Sequence, residues 1–294
     1  MRFSDKIAVV TGAASGIGAE TARLFAREGA IVFAGDIDEA GGAKLAAEAE
    51  GDIRFVPCDV TDPAAIEALM NAAAGVDGGI DILMNNAAAG GARANIDEIE
   101  PADWDMTMNL VLRSVALGIR YAVPHMKGRA STKNGGANIV NVSSVAAVGP
   151  GYAPTAYSVA KAGVLHLTKC AAADLAQFGI RVNAVQPGFI NTNIFTASLD
   201  VPGEMKKLAN AAIAQISSNA QPVRRGGQSA DIAEAVAYLA GAGAGFVTGT
   251  SLIVDGGITL GPRHSWDPEE PGLFSALEKM EEDMKAKAGE AAPD

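Results

Sequence analysis

Residues 7–36, IAVVTGAASGIGAETARLFAREGAIVFAGD, carry the reading that decides the fold. Ile7 to Val10 is a short apolar run, the pattern of a buried strand. From Ile17 to Phe25 the apolar residues recur at helical spacing, and Ile31 to Ala34 is a second apolar run that ends at Asp36. Gly12, Gly16 and Gly18 therefore stand on a strand-to-helix turn. Glycines there let the backbone approach a pyrophosphate, whose charge meets the free amides and positive dipole end of the helix. The spacing is G-x-x-x-G-x-G and differs from the longer G-x-G-x-x-G pattern.

The alternation continues along the chain. Strands are expected near 7–11, 31–35, 53–57, 80–84, 138–142, 180–185 and 251–254, with helical patterns filling most of the gaps. Such alternation, without a linker, predicts one α/β domain: a Rossmann-like, doubly wound parallel sheet with helices on both faces. Ligands of such sheets bind beyond the carboxyl ends of the strands. The domain is expected over 1–261, with a lid at about 188–225, and a C-terminal extension over 262–294.

Asp36 closes the second strand, eighteen residues after Gly18. A carboxylate there accepts hydrogen bonds from adenosine ribose hydroxyls and repels a 2′-phosphate, so the expected cofactor is NAD rather than NADP. Tyr157 and Lys161, in the run AYSVAKAG, lie four apart and share a helix face. A neighbouring ammonium stabilises a phenolate and lowers its pKa, which would let Tyr157 exchange a proton with an alcohol or ketone.

Taken together, these motifs resemble the short-chain dehydrogenase/reductase family, from about Asp5 to about Gly257. The match comprises TGAASGIG at Thr11 to Gly18, Asp59-Val60, Asn85-Asn86-Ala87, Asn109 and the NVSS run ending at Ser144. It continues through Tyr157 and Lys161, Asn183, Pro187-Gly188, Thr192 and Val254-Asp255-Gly256-Gly257. Two departures stand out: Ala88 replaces the usual glycine after Asn-Asn-Ala, and more than thirty residues follow Gly257.

The resemblance implies roles. Ser144, thirteen positions before Tyr157, would polarise the substrate oxygen, and Tyr157 would be the general base in oxidation and the acid in reduction. Lys161 would hold the nicotinamide ribose and depress the Tyr157 pKa, and Asn109 would hold a water relaying protons from Lys161. Gly188, Ile190 and Thr192 would fix the nicotinamide carboxamide. Ser15, Ile17, Ile37, Asp59, Val60, Asn86, Ala87 and Pro187 complete the implied cofactor contacts beside Gly12, Gly16, Gly18 and Asp36. Family members commonly form dimers or tetramers, which implies a homo-oligomer and fits a homotetramer.

Composition narrows the classes. A net charge of −11 argues against nucleic acid or an anionic membrane as partner. Two cysteines, Cys58 and Cys170, and an N-terminus without an apolar signal region fit a reduced, cytoplasmic enzyme. The three histidines are scattered and no catalytic metal is expected. The lid carries Phe189, Ile194, Phe195, Leu199, Val201, Met205, Leu208 and Ile213, and Val145 to Val148 with Tyr152 would line the same cleft. An apolar pocket suits a bulky secondary alcohol or ketone: cyclic, aromatic, terpenoid or steroid. The leading expectation is thus an NAD-dependent secondary-alcohol dehydrogenase. A 3-oxoacyl-thioester ketoreductase comes second and a non-enzymatic nucleotide-sensing scaffold third. In the extension, Leu273, Leu277, Met280 and Met284 predict an amphipathic helix that docks on its own subunit or a neighbour.

Overall fold

A computed structural model describes residues 1–76, 78–129, 136–192 and 202–290. Seven strands form one parallel sheet: β1 Ile7–Thr11, β2 Ile31–Asp36, β3 Asp52–Pro57, β4 Ile82–Asn85, β5 Asn138–Val142, β6 Arg181–Pro187 and β7 Ser251–Val254. Their spatial order is β3-β2-β1-β4-β5-β6-β7. The order reverses between β1 and β4, which opens a crevice at their carboxyl ends. Expected strand bounds hold within two or three residues. The largest shifts are at β4, which starts at Ile82, and at β6, which runs on to Pro187 because Gln186 and Pro187 pair with Ile253 and Val254.

Helices cover both faces. These are α1 Gly16–Arg27, α2 Glu39–Glu48, α3 Pro63–Ala74, α4 Pro101–Met108, α5 Ser114–Met126, α6 Thr155–Leu175, α7 Gly203–Ser218, α8 Ser229–Ala240 and α9 Leu273–Glu290. The strand period of two splits the core. Ala8 and Val10 face one layer with Leu24, Phe25, Ile232 and Val236. Ile7 and Val9 face the other with Leu69, Met70, Ile119 and Val164. A continuous apolar run is what burial on both faces requires.

One buried polar chain ties this frame together. Asn85 Nδ2 donates to Asn141 Oδ1 at 2.9 Å, and Asn141 Nδ2 donates to Thr168 Oγ1 at 3.0 Å. β4, β5 and the middle of α6, the helix that carries Tyr157 and Lys161 nearer its start, are thereby tied together. Gly118 leaves room for this chain, since a Cβ there would stand 2.2 Å from Asn85 Oδ1.

Beyond β7 the backbone turns through Gly256 and Gly257, both at positive φ, and Asp255 caps the turn through the Gly257 and Thr259 amides. α9 follows, with Leu277, Met280 and Met284 exposed. Among the described residues, no helix is long and apolar enough to cross a membrane.

Candidate active site

The glycine turn is shaped by packing as much as by conformation. Gly12 and Gly16 have φ of +65° and +56°, where a side chain is strained. A Cβ on Gly18 would lie 2.1 Å from the Gly12 carbonyl oxygen, and one on Gly12 would lie 2.7 Å from Ala87 Cα. Gly16 faces Thr192 across the crevice, with a notional Cβ 3.3 Å from Thr192 Cγ2. The turn is therefore a bare cradle closed on one side by the segment after β6, with Ser15 and Ile17 at the start of α1. Gly18→Ala would force Gly12 outward. Loss of nicotinamide-cofactor binding in a fluorescence titration and a lowered thermal midpoint are expected.

Asn86 braces the cradle. Its Nδ2 donates to the Thr11 and Gly12 carbonyls at 2.9 and 3.0 Å, and Thr11 Oγ1 accepts from the Asn86 and Ala87 amides. Asp36 also has structural work: its carboxylate accepts from the Ala14 amide at 2.8 Å and the Asp38 amide at 3.0 Å. Each carboxylate oxygen carries two lone pairs, so capacity for hydroxyl donors remains. Asp38, not Asp36, caps α2. Ile37 stands 73 % exposed beside it, an apolar flank at the cradle's edge. Asp59 accepts from the Thr61 amide and hydroxyl at 2.8 Å, while Val60 is buried.

Across the crevice, Pro187 ends β6 and Gly188 passes against Asp255, where a Cβ would come within 2.7 Å of its Cα. Ile190 forms a parallel bridge with Gly227, using the Phe189 carbonyl and the Asn191 amide. In a parallel bridge the central residue's own amide and carbonyl point away from the partner, so those of Ile190 are not used by Gly227. Of the expected lid, Ile194, Phe195, Leu199 and Val201 lie outside the described residues.

Tyr157 and Lys161 occupy the first turns of α6, and both are buried. The Tyr157 phenol is hydrogen-bonded to the Ser144 side chain. Ser144 Oγ also accepts from the Ala146 amide at 3.1 Å, which fixes the hydroxyl at the head of a short 3₁₀ turn, Val145–Ala147. Ser143 is different: its hydroxyl donates to the Lys161 carbonyl at 2.8 Å and faces away from the phenol. The two adjacent serines thus separate into one against α6 and one at Tyr157.

One expectation needs correction. Lys161 was expected to depress the Tyr157 pKa. Instead, burial pushes the phenol up to about 12, opposed only by the Ser144 hydrogen bond. Burial likewise pushes the Lys161 ammonium down to about 7. Its Nζ lies 5.5 Å from the Tyr157 ring centroid and donates to the Val142 carbonyl at 2.7 Å. Both groups sit in a dry pocket, where the neutral forms are favoured.

Asn109 is engaged by its own turn. It opens a π-helical turn, Asn109–Arg113, between α4 and α5. Its Oδ1 accepts from Arg113 Nη1 at 2.8 Å, and the same guanidinium reaches the Thr61 carbonyl at 3.5 Å. Side chains two apart on a helical turn face opposite ways. The residue that packs on Tyr157 is therefore Val111, fully buried with Ala146 and Ala160. The structure does not bring the Asn109 side chain to the catalytic pair. Val111 escapes a reading of the sequence because an apolar residue on a helix looks like ordinary core. The four-residue Asn109–Arg113 spacing was the available signal.

Around the phenol lie half-buried Ala88, Met108, Tyr152 and Ala153. Gly91, at φ +71°, lets the loop after β4 approach, since a Cβ there would stand 3.4 Å from Tyr157 Cβ. Ala88, where the family usually has glycine, packs into this apolar group.

A family model described as "Enoyl-(Acyl carrier protein) reductase" matches residues 12–259. The chain belongs to the short-chain dehydrogenase/reductase family. It is an oxidoreductase of CH–OH groups, in a family that uses a nicotinamide cofactor. It is 40 % identical over 260 residues to a cis-4-hydroxycyclohexanecarboxylate dehydrogenase of Sinomonas cyclohexanicum, covering 87 % of this chain and 98 % of that one. It is 38 % identical over 264 residues to the 3-oxoacyl-[acyl-carrier-protein] reductase FabG of Thermotoga maritima, covering 88 % and 100 %. The crystal structure of levodione reductase superposes with a TM-score of 0.77 at 30 % identity, over 89 % of this chain and 100 % of that one.

Proposed function

We propose that this short-chain dehydrogenase/reductase is an NAD-dependent dehydrogenase of bulky, uncharged, ring-bearing secondary alcohols, forming the ketone. The observation that carries it is the buried Tyr157 phenol beside Ser144, packed with Val111, Ala146 and Ala160 and flanked by half-buried Ala88, Met108, Tyr152 and Ala153. The substrate named for the Sinomonas relative supports a ring-bearing secondary alcohol, and that one carries a carboxylate on the ring. Asp36 at the end of β2 supports NAD, because a carboxylate there repels a 2′-phosphate.

The residues fit a dinucleotide. The glycine cradle has no room for side chains, the Asp36 carboxylate retains acceptor capacity, and the Ile190 amide and carbonyl are not used by its bridge to Gly227. Bound there, the nicotinamide supplies the hydride acceptor or donor. Gly12, Ser15, Gly16, Ile17, Gly18, Asp36, Ile37, Asp59, Val60, Asn86 and Ala87 hold the dinucleotide on the β1 side. Pro187, Gly188, Ile190, Thr192 and Lys161 hold it on the other.

Ser144 donates to the substrate oxygen, and Tyr157 exchanges the proton on that oxygen. Tyr157 is protonated below about 12, so the ligand-free site is set as an acid. Ketone reduction then finds its proton donor at every ordinary pH. Alcohol oxidation requires the phenolate, so its initial rate is expected to climb through the alkaline range, with no matching rise for reduction.

The reading includes a cytoplasmic homo-oligomer. Exposed Tyr238, Phe246, Leu252 and Ile253 at the β7 edge support assembly, and the exposed stripe of α9 supports docking of the extension on a neighbouring subunit. The second reading, a 3-oxoacyl-thioester ketoreductase, is favoured by the Thermotoga relative. The test gives purified protein NAD⁺ or NADP⁺ with cyclic, aryl and steroid secondary alcohols, and 3-oxoacyl thioesters with the reduced cofactors. Turnover with NAD⁺ and a cyclic alcohol is expected. Activity confined to NADPH and the thioester would replace this reading with the ketoreductase.

A further inference from the structure

Three segments far apart in sequence meet at Tyr152, which packs on the buried group that includes Tyr157. The first is the loop between the Val145–Ala147 turn and α6, which carries Tyr152. The second is the segment 221–225 that leads out of the lid toward α8. The third is the chain after β7. Tyr152 Oη donates to the Ile258 carbonyl at 3.3 Å, and the Val223 amide donates to the Gly256 carbonyl at 2.9 Å. Gly257 is so close to Pro222 and Leu260 that a Cβ there would stand about 3 Å from both. The chain after β7 thus forms a strap against the end of the lid segment, and Tyr152 is pinned to it by its hydroxyl.

The Tyr152 ring belongs to the half-buried apolar group around Tyr157, together with Ala88, Met108 and Ala153. Its neighbours on the rim are apolar and open: Val148 is 50 % exposed, Val223 51 % and Leu260 74 %. A ring held at its edge by a hydroxyl and packed by its face is a rigid wall, with only two side-chain torsions to fix. Of the residues in this wall, Tyr152 is by far the largest, so its ring sets how much space is left above the phenol.

We propose that Tyr152, pinned to the Ile258 carbonyl, is the residue that sets the size of the ring system admitted beside Tyr157. The inference rests on the cyclic-alcohol reading above. Shortening the side chain removes the contact face for a single ring and opens space for a fused or bridged one. Removing only the hydroxyl leaves the wall standing but releases its edge.

The test compares cyclohexanone with a bicyclic terpene ketone, each titrated calorimetrically into the non-reacting protein–NAD⁺ complex, alongside turnover of the corresponding alcohols with NAD⁺. The variants are Tyr152→Ala, Tyr152→Leu and Tyr152→Phe, with NADH affinity as the control for folding. In the Ala and Leu variants the preference for the bicyclic over the monocyclic ligand is expected to rise by about tenfold, the usual scale for apolar pocket discrimination. In the Phe variant the preference is expected to stay at the wild-type value, with KM raised and kcat unchanged. An unchanged preference in both truncated variants, with NADH still bound, would overturn the assignment of Tyr152. Ligand preference that shifts as expected while no cyclic alcohol is oxidised would keep Tyr152 as the wall and overturn the dehydrogenase reading. Failure of wild type to bind either ketone would overturn both.

Discussion

Tyr157→Phe is expected to lower kcat by roughly a hundred- to ten-thousandfold, the range that a positioned acid or base contributes. Cofactor affinity should be unchanged. The phenol is the group placed to exchange a proton with the substrate oxygen, and phenylalanine keeps the ring that packs on Val111, Ala146 and Ala160. The one bond lost is to Ser144, so stability should fall by no more than about 1 kcal/mol. Steady-state rates with a cofactor titration check this. A variant that retains wild-type kcat would remove Tyr157 from the chemistry.

Lys161→Met is expected to abolish turnover and to change stability in a pH-dependent way. Burial lowers the Lys161 pKa from 10.5 in the unfolded chain to about 7 in the fold. The folded protein therefore binds fewer protons than the unfolded one between those values, and stability attributable to this group rises with pH there. Below about 7 the fold carries a charged, buried ammonium, and the penalty is complete. Methionine fills the space without that penalty, although the Val142 carbonyl loses its donor at a cost of about 1–3 kcal/mol. The thermal midpoint of the variant relative to wild type should thus be most favourable in mild acid and decline steadily toward alkaline pH. A difference that does not change with pH would mean that Lys161 is not desolvated.

Much of the fold was legible because burial on both faces leaves a plain mark. Runs such as Ile7 to Val10 and Ile31 to Ala34 cannot sit on a surface, and the helical spacing after each fixes the parallel, doubly wound plan. The glycine turn was legible as a cradle, but the tight fit of Gly18 against the Gly12 carbonyl was not, since it depends on how the helix enters. Tyr157, Lys161 and Ser144 converge as their spacing implies. What spacing hides is environment. Charge proximity in the sequence suggested a lowered phenol pKa, whereas Val111, Ala146 and Ala160 make the pocket dry, and desolvation raises it instead.

The Asn109 side chain makes a related point. A motif fixes a residue's place along the chain but not its face on a helix, and the π turn decides that face. It turns Asn109 toward Arg113 and Val111 toward the phenol. The Ala88 departure is likewise explained only by the loop it sits in, where its methyl joins the apolar group around Tyr157.

The most direct measurement is a single turnover of wild-type protein with NAD⁺ and cyclohexanol carrying deuterium at the carbinol carbon, with the reduced cofactor examined by mass spectrometry. Deuterium in the NADH, formed more slowly than with unlabelled alcohol, is the predicted result. Tight NAD⁺ binding with no reduced cofactor from this or any larger ring-bearing alcohol would contradict the assignment.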